Sequence, residues 1–231
     1  EEQGCLDSVS GVFDVNDPAS HSRSRPVECA VKAVKEACHL ARKYERSVHI
    51  AHVSSREELD VIEKFSEVTC EVSPHHLFLN EDMYGEFGHL LKVNPPVRSR
   101  EESASLWQGV YGGGVDLIAT DHSPHTRSEK ESDMPPSGMP EVQTLLPLLL
   151  NEVTSDKLSL EDVVRLCCEK PAEVFGFKDR GFVREGMRAD LVLVDMERST
   201  EIRASDLKYK CGWSCYEGRV LKGGVERVWR G

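Results

Sequence analysis

The sequence predicts an α/β protein whose helices alternate with the strands of a parallel sheet. The first observation is a change of period. Apolar residues recur at helical spacing over Pro26–Tyr44 and then at alternate positions over Ser47–Val53, as expected for a helix followed by a strand. The second observation is that this order repeats, with further strands predicted at Val68–Val72 and Val115–Ala119. Strands separated by helices in this way pair in parallel.

Local signals mark the ends of the intervening helices. Ser55 precedes Glu58 by three residues, which is the spacing of a helix N-cap and predicts a helix that ends near Phe65. Another helix is predicted from about Glu101 to Val110, and the glycines at positions 112–114 end it. Three more helices are predicted near residues 141–152, 159–168 and 171–175.

From Gly181 onward the pattern changes to strands. A strand is predicted at Ala189–Asp195, and Arg219–Trp229 resembles a hairpin that turns at Gly223–Gly224. We therefore predict two domains, an α/β body over residues 1–180 and a small β appendage over residues 181–231.

Composition narrows the class of function. Of 231 residues, 39% are hydrophobic and 30% are charged, which is typical of a globular protein in water. The net charge of −11 argues against a nucleic-acid partner. No apolar run approaches the roughly 20 residues of a membrane span, so we expect no membrane partner and a cytoplasmic location.

The eight cysteines match neither a disulfide framework nor a zinc-finger spacing. Several fall within predicted helices, so reduced and mostly buried thiols are expected. A redox or metal pair formed by Cys211 and Cys215, which three residues separate, is the less favoured alternative.

Histidine and aspartate follow the ends of the three predicted strands. His52 ends the first strand, His75 and His76 follow the second, and Asp121 and His122 follow the third. In (β/α)8 enzymes, the carboxyl ends of the strands hold metal ligands and proton-transfer groups. Imidazole and carboxylate groups suit Zn²⁺ and similar ions.

Plainer interpretations exist for each of these residues. His52 fits a hydrogen-bonded core residue, and Asp121 fits a cap of the following turn. For His75 and His76 a solvated loop pair is the favoured interpretation, and His49 is expected to pack or to form hydrogen bonds. The residues 123–140 form a long polar loop of a kind that is more often functional than not.

Six short motifs carry the most specific signal in the sequence. They are His49–Ser55, Glu71–Leu77, Lys92–Arg98, Ile118–His125, Pro136–Pro140 and Lys210–Gly218. With these motifs in this order, the chain resembles the C-terminal part of the dihydroorotases, a family of the amidohydrolase superfamily, from about residue 17 to its end. The resemblance implies the C-terminal part of a (β/α)8 TIM-type barrel of metal-dependent hydrolases, from about the fifth strand onward, with the β appendage attached.

The resemblance also implies roles for individual residues. His52 would be a zinc ligand from the sixth barrel strand, and Asp121, from the eighth, would bind the other zinc and act as the acid and base. Asn94, His125 and the backbone of Ser137–Gly138 would hold the pyrimidine ring and its carboxylate. The implied reaction is the reversible hydrolysis of dihydroorotate to N-carbamoyl-aspartate, in pyrimidine synthesis.

The other ligands of such a site are not found in this sequence. The family's His-x-His strand, its bridging carboxylate or carboxylated lysine and its fifth-strand His have no counterpart here, and two ligands cannot hold a site for two zinc ions. We therefore expect that activity requires a preceding part of the protein and that the isolated chain is inactive. A homodimer, or association with other enzymes of pyrimidine synthesis, is expected as the partner.

Two alternative functions stay open. One is a cyclic amidohydrolase of the hydantoinase or allantoinase type, which the Asn94-Pro-Pro and Gly212-Trp-Ser motifs disfavour. The other is a non-catalytic scaffold that resembles a dihydroorotase. It is disfavoured because a scaffold has no need to retain His52, Asn94, Asp121 and His125.

Overall fold

The computed structural model describes residues 1–231, except for the side chain of residue 10. The chain divides into two compact units, Glu1–Pro140 and Glu141–Gly231. The boundary predicted at residue 181 is of a different kind, because it separates the barrel from the β appendage. It stays a prediction.

The first unit holds a three-stranded parallel sheet surrounded by helices. Its strands are β1 (Val48–Ile50), β2 (Val68–Val72) and β3 (Leu117–Ile118). Its α-helices are α1 (Gln3–Val9), α2 (Ser20–Arg23), α3 (Val27–Tyr44), α4 (Arg56–Ile62), α5 (Pro74–Phe78), α6 (Tyr84–Phe87), α7 (Arg100–Gly112) and α8 (Arg127–Lys130).

The strands are ordered β1-β2-β3, with Val48 opposite Val68 and Val72 opposite Ile118. This confirms the predicted parallel pairing. Helix α4 lies in the connection between β1 and β2, and helices α5, α6 and α7 lie in the connection between β2 and β3. These crossovers return the chain to the same end of the sheet, so that every strand points the same way.

Two features show how the helices of this unit pack, and the first is the apolar face of α3. Its apolar stripe is buried, as the spacing of those residues predicts. The buried side chains are Cys29, Ala30, Val31, Val34, Cys38 and Ala41. At Gly109 in α7, a β-carbon would lie only 2.5 Å from Leu59 Cδ1 in α4. Glycine at this position therefore permits the close approach of α7 to α4.

A disulfide joins Cys5 in α1 to Cys29 in α3, so the expectation of reduced cysteines is wrong for this pair. The two residues are 24 positions apart in the chain. Their pairing depends on the docking of α1 beside α3, which no local pattern reveals.

The second unit consists of helices beside a two-stranded antiparallel sheet. The elements are α9 (Leu145–Thr154), α10 (Leu160–Val164), a π-helical turn (Arg165–Glu169), α11 (Lys170–Val174), β4 (Leu191–Glu201) and β5 (Val220–Trp229). In the part of the chain that the structure describes, no helix combines the length and the hydropathy needed to cross a membrane.

The predicted hairpin over Arg219–Trp229 is wrong, because this segment is the single strand β5, paired with β4. Gly223 has a φ of 87°, and a β-carbon there would lie 2.7 Å from Leu150 Cβ. Gly223 therefore lets the strand cross α9 closely, and the glycine pair does not make a turn.

Candidate active site

The predicted metal ligands follow the carboxyl ends of parallel strands. His52 comes two residues after β1, and Asp121 three residues after β3. The backbone N–H of Val53 donates to Glu71 O at 2.8 Å, and that of Ala119 donates to Val72 O at 3.1 Å. Both ends are thus tied to the end of β2, and His52 and Asp121 lie at the same edge of the sheet.

Both residues have a backbone conformation that is rare for anything but glycine. The φ angles of His52 and Asp121 are 42° and 46°. Such left-handed backbone costs on the order of 1–3 kcal/mol and concentrates at functional sites. Strain at both predicted ligands is consistent with a site that the fold maintains at a cost in stability.

The donors present fit part of a divalent metal site. His52 Nδ1 is buried and accepts or donates no hydrogen bond among the atoms described, which is unfavourable for a polar atom unless something else binds it. An imidazole and a carboxylate are suitable zinc ligands in type. However, no group of three or more His, Cys, Asp or Glu residues in the described side chains is arranged to hold a metal ion. Among the described side chains, the donors therefore match such a ligand set in type and not in number.

The segment that carries Asn94 is held through its carbonyl groups. His21 Nε2 donates to Val93 O at 2.8 Å, and His76 Nε2 donates to Pro95 O at 3.0 Å. Because these donors come from distant elements, they fix an irregular segment that has no helical or sheet hydrogen bonds of its own. The backbone on both sides of Asn94 is thereby held in place.

The prediction of a solvated loop for His75 and His76 is wrong. Their exposures are 0% and 1%, and the two rings lie 4.3 Å apart between centroids. Pro74 begins the short helix α5, and this first turn directs both rings into the unit. Burial, and then the neighbouring His75, hold the pKa of His76 well below its ordinary value. His76 is therefore neutral when it donates to Pro95.

His21 is a member of the site that the sequence did not reveal, because it lies in a polar run of Ser and Arg that resembles a solvated loop. It is 3% exposed. Burial lowers the pKa of His21 to about 4, and the charges of Lys92 and Arg25 act in the same direction. The adjacent Ser22 Oγ donates to Val97 O at 3.0 Å, so it also holds the Asn94 segment.

The predicted substrate-binding residues lie together. Ser137 Oγ donates to Asn94 Oδ1 at 3.2 Å. Gly138 has a φ of 132°, and a β-carbon there would lie 2.7 Å from Ser123 O and 3.3 Å from His125 Cδ2. Glycine is thus required for the segment to pass beside the backbone of Ser123, which brings it close to His125. The N–H of Gly138 donates to Lys92 O at 2.9 Å. Because this backbone donor is already used, Ser137 is better placed than Gly138 to offer a hydrogen bond to a ligand.

The long loop returns to the strand end from which it starts. Ser123 N donates to Met139 O at 3.0 Å, and Ser123 Oγ donates to Asp121 O at 3.2 Å. The loop therefore carries Ser137 back to the neighbourhood of Asp121.

A cavity of about 320 Å³ opens beside Ser137, and its wall includes His21, Arg25 and Lys92. Arg25 forms an ion pair with Glu1. Lys92 Nζ donates to Pro135 O at 2.6 Å, and burial lowers the pKa of Lys92, with the charge of Arg25 adding to the effect. The cavity is large enough for a small polar molecule.

His49 forms hydrogen bonds, as predicted. Its Nε2–H donates to Glu71 Oε2 at 3.0 Å, and its Nδ1 is 2.8 Å from Thr69 Oγ1. The ring is therefore engaged on both nitrogen atoms by β2.

The sequence profile of the amidohydrolase family matches residues 19–210. The chain therefore belongs to the amidohydrolase family.

The fold agrees with solved structures of that family's barrel type. An L-hydantoinase (dihydropyrimidinase) from Arthrobacter aurescens superimposes with a TM-score of 0.88 at 28% identity, over 99% of this chain and 53% of that one. A D-hydantoinase superimposes with a TM-score of 0.89 at 25% identity, over 98% of this chain and 53% of that one. The predicted TIM-barrel class is thus confirmed.

Among proteins compared by sequence, similar ones are dihydroorotases. That of Halobacterium salinarum is 40% identical over 89% of this chain and 49% of its own length. That of Methanothermobacter thermautotrophicus is 35% identical over 95% of this chain and 51% of its own length. The Multifunctional protein CAD of Squalus acanthias is 39% identical over 82% of this chain and 8% of its own length. The chain spans about half the length of the dihydroorotases that it matches.

Proposed function

We propose that the protein carrying this chain is a dihydroorotase, which reversibly hydrolyses the cyclic amide of dihydroorotate to N-carbamoyl-aspartate. The observation that carries the proposal is the meeting of Asn94, Ser137 and His125 beside a strand end that bears Asp121. Relatives that are 35–40% identical and bear the name dihydroorotase support it. The hydantoinase structures are more distant, at 28% and 25% identity.

In this proposal, His52 and Asp121 are metal ligands, and the remaining ligands come from a part of the protein outside this chain. We propose zinc as the metal, one or two ions in each complete site. When bound, zinc supplies a water of lowered pKa and polarises the carbonyl of the ring amide. The isolated chain is proposed to be inactive, because two protein ligands are too few for the site.

Asp121 acts as the base and then as the acid. Its carboxylate accepts the proton of the attacking water and delivers it to the ring nitrogen as the bond between that nitrogen and the carbonyl carbon breaks. A carboxylate suits this role, since neighbouring cations keep it ionised until it accepts the proton. The ring nitrogen leaves as the terminal nitrogen of the carbamoyl group.

Asn94, Ser137 and His125 bind the substrate. Because Asn94 Oδ1 accepts from Ser137, its Nδ2 group is oriented as a donor toward the substrate carboxylate. His125 follows Asp121 by four residues and contributes a ring nitrogen to the same carboxylate or to a ring carbonyl. Gly138 lets the Ser137 segment pass beside Ser123 and so come close to His125, and its main role is to permit this approach.

The test is an assay of the full natural polypeptide, purified and supplied with zinc, on dihydroorotate, N-carbamoyl-aspartate, hydantoin and allantoin. Turnover of the first pair alone is expected. Turnover of hydantoin or allantoin without dihydroorotate would replace the proposal with the alternative cyclic amidohydrolase. A protein that binds zinc and turns over none of the four would favour the non-catalytic scaffold.

We also propose a cytoplasmic location. For the partner, the two candidates are a second copy of the chain and another enzyme of pyrimidine synthesis. The similarity to part of a multifunctional protein supports the latter. Size-exclusion chromatography with light scattering on the full polypeptide would distinguish a homodimer from a monomer.

A further inference from the structure

Lys130 is completely buried, with an exposure of 0%. Lysine is almost never buried without partners, since removing its charge from water is costly. Its Nζ donates to three backbone carbonyl oxygens, Lys92 O at 2.8 Å, Pro136 O at 2.9 Å and Gly138 O at 2.9 Å. These bonds use the three hydrogens of the ammonium group.

The three carbonyls belong to the two segments that carry the candidate substrate-binding residues. Lys92 precedes Asn94 by two positions, and Pro136 and Gly138 flank Ser137. The Gly138 N–H donates to the same Lys92 carbonyl. Lys130 therefore lies where the two segments are joined.

The chain delivers Lys130 to this place from the His125 side. Thr126 and Glu129 form a capping box at the start of α8, and Lys130 N donates to Thr126 O at 3.1 Å. The position of Lys130 is thus set by the turn that directly follows His125. The Lys130 side chain therefore links the turn after His125 to the segment that carries Asn94 and to the segment that carries Ser137.

We infer that Lys130 is the positioning residue for the substrate-binding segments, an inference that rests on the proposed function for the identity of the substrate. It sets the relative positions of Asn94, Ser137 and His125, and it does not touch the substrate, because its hydrogens are all directed to carbonyls. A compact cation suits this role, since three carbonyl dipoles converge on a single point.

The test compares Lys130→Met and Lys130→Arg with the exposed-residue control Lys35→Met in the full natural polypeptide. For Lys130→Met, we expect KM for dihydroorotate to rise by roughly tenfold or more, because the substrate-binding segments are no longer held in place. The value of kcat should fall by less than about threefold, because the group that acts as acid and base remains. Lys130→Arg should give an intermediate rise in KM. The Lys35 variant should match the wild type.

Hydrogen exchange measured by mass spectrometry supplies a readout that does not depend on activity. In Lys130→Met, amides of residues 131–138 should exchange roughly tenfold faster, while those of α3 keep their protection. Equal acceleration in α3 would show a general loss of stability and would overturn the inference. So would unchanged protection of residues 131–138 together with an unchanged KM.

A third variant guards against failure of the methionine variant to fold. Lys130→Ala removes the atoms of n-propylammonium, and adding this ion should restore the protection of residues 131–138, whereas n-propanol should not. Equal rescue by both compounds would contradict the role of the charge. If the wild type does not turn over dihydroorotate, the proposed function fails, and the exchange measurements still decide the role of Lys130.

Discussion

The phenolic oxygen of Tyr216 lies 2.5 Å from Glu141 Oε1, and both side chains have an exposure of 0%. Burial, and then the negative charge of Glu141, raise the pKa of Tyr216 well above its ordinary value. The hydroxyl therefore stays protonated and donates to the carboxylate. This bond joins the first residue of the second unit to a segment 75 positions away.

Replacing Tyr216 with Phe should lower the free energy of unfolding by about 1–3 kcal/mol, because a buried carboxylate then lacks this donor. Urea unfolding followed by circular dichroism would measure the loss. Tyr44→Phe is the matched control, since Tyr44 is 61% exposed, and its effect should stay within about 0.5 kcal/mol. Equal effects of the two variants would show that the buried bond contributes nothing specific.

Asp121→Asn should lower kcat by roughly a hundredfold or more, because an amide cannot accept the proton of the attacking water. The fold should persist, since Asn tolerates the left-handed conformation found at this position as well as Asp does. Turnover of dihydroorotate and the circular dichroism spectrum of the full polypeptide are the two measurements.

Asp156→Asn is the control for this variant. Asp156 also has a positive φ, of 56°, and lies in the second unit. The Asp156→Asn variant should retain full activity. A loss of activity in both variants would point to a general effect of the Asp-to-Asn change on the folded protein and away from proton transfer.

His52→Asn should weaken zinc binding by at least about tenfold, since even the loss of an outer partner of a metal ligand commonly costs that much. Asn tolerates the φ of 42°, so the change removes the imidazole without forcing a new backbone conformation. Zinc content measured by elemental analysis after dialysis against a metal buffer checks this. His39→Asn, at an exposed position, should bind zinc normally, and an unaltered content in His52→Asn would exclude His52 as a ligand.

The pKa of His21 makes stability depend on pH. Burial lowers this pKa from 6.5 to about 4 in the folded protein. Between these values the unfolded chain binds more protons, so the free energy of unfolding should fall as the pH is lowered through this window. The loss from this group is at most about 3 kcal/mol, and above the unfolded pKa the contribution is fully present.

His21→Gln should flatten this dependence, because the amide can still donate to Val93 O but does not titrate in this range. Urea unfolding at a series of pH values would measure the slope. His39→Gln should leave the slope unchanged. A slope that is the same in His21→Gln and in the wild type would contradict the assignment.

The sequence predicted those parts of the molecule that local pattern determines. The alternating periods located β1 to β3, and the polar residues after each strand located His52 and Asp121, because parallel strands end at one edge. The motif resemblance identified Asn94, His125 and Ser137, which then proved to lie together.

The features that depend on tertiary packing were not predicted. The sequence around His75 and His76 suggested a solvated loop, yet the helical turn that begins at Pro74 buries both residues. A glycine pair suggested a hairpin at Gly223, yet the glycine serves the crossing of a strand over Leu150. The role of Lys130 had no local signal, since its three acceptors lie in segments that only the folded chain brings together.

The Cys5–Cys29 disulfide closes a covalent loop that contains His21 and Ser22, the donors to the carbonyls on either side of the Asn94–Pro95 bond. By the chain-entropy account, a loop of this size restricts the unfolded chain by about 3–4 kcal/mol. The acceptors, Val93 O and Val97 O, lie outside this loop, so the disulfide does not tether the donors to them. It restricts the backbone of the segment that presents both donors, and reduction would widen the range of conformations open to that segment whenever it is detached from the Asn94 segment.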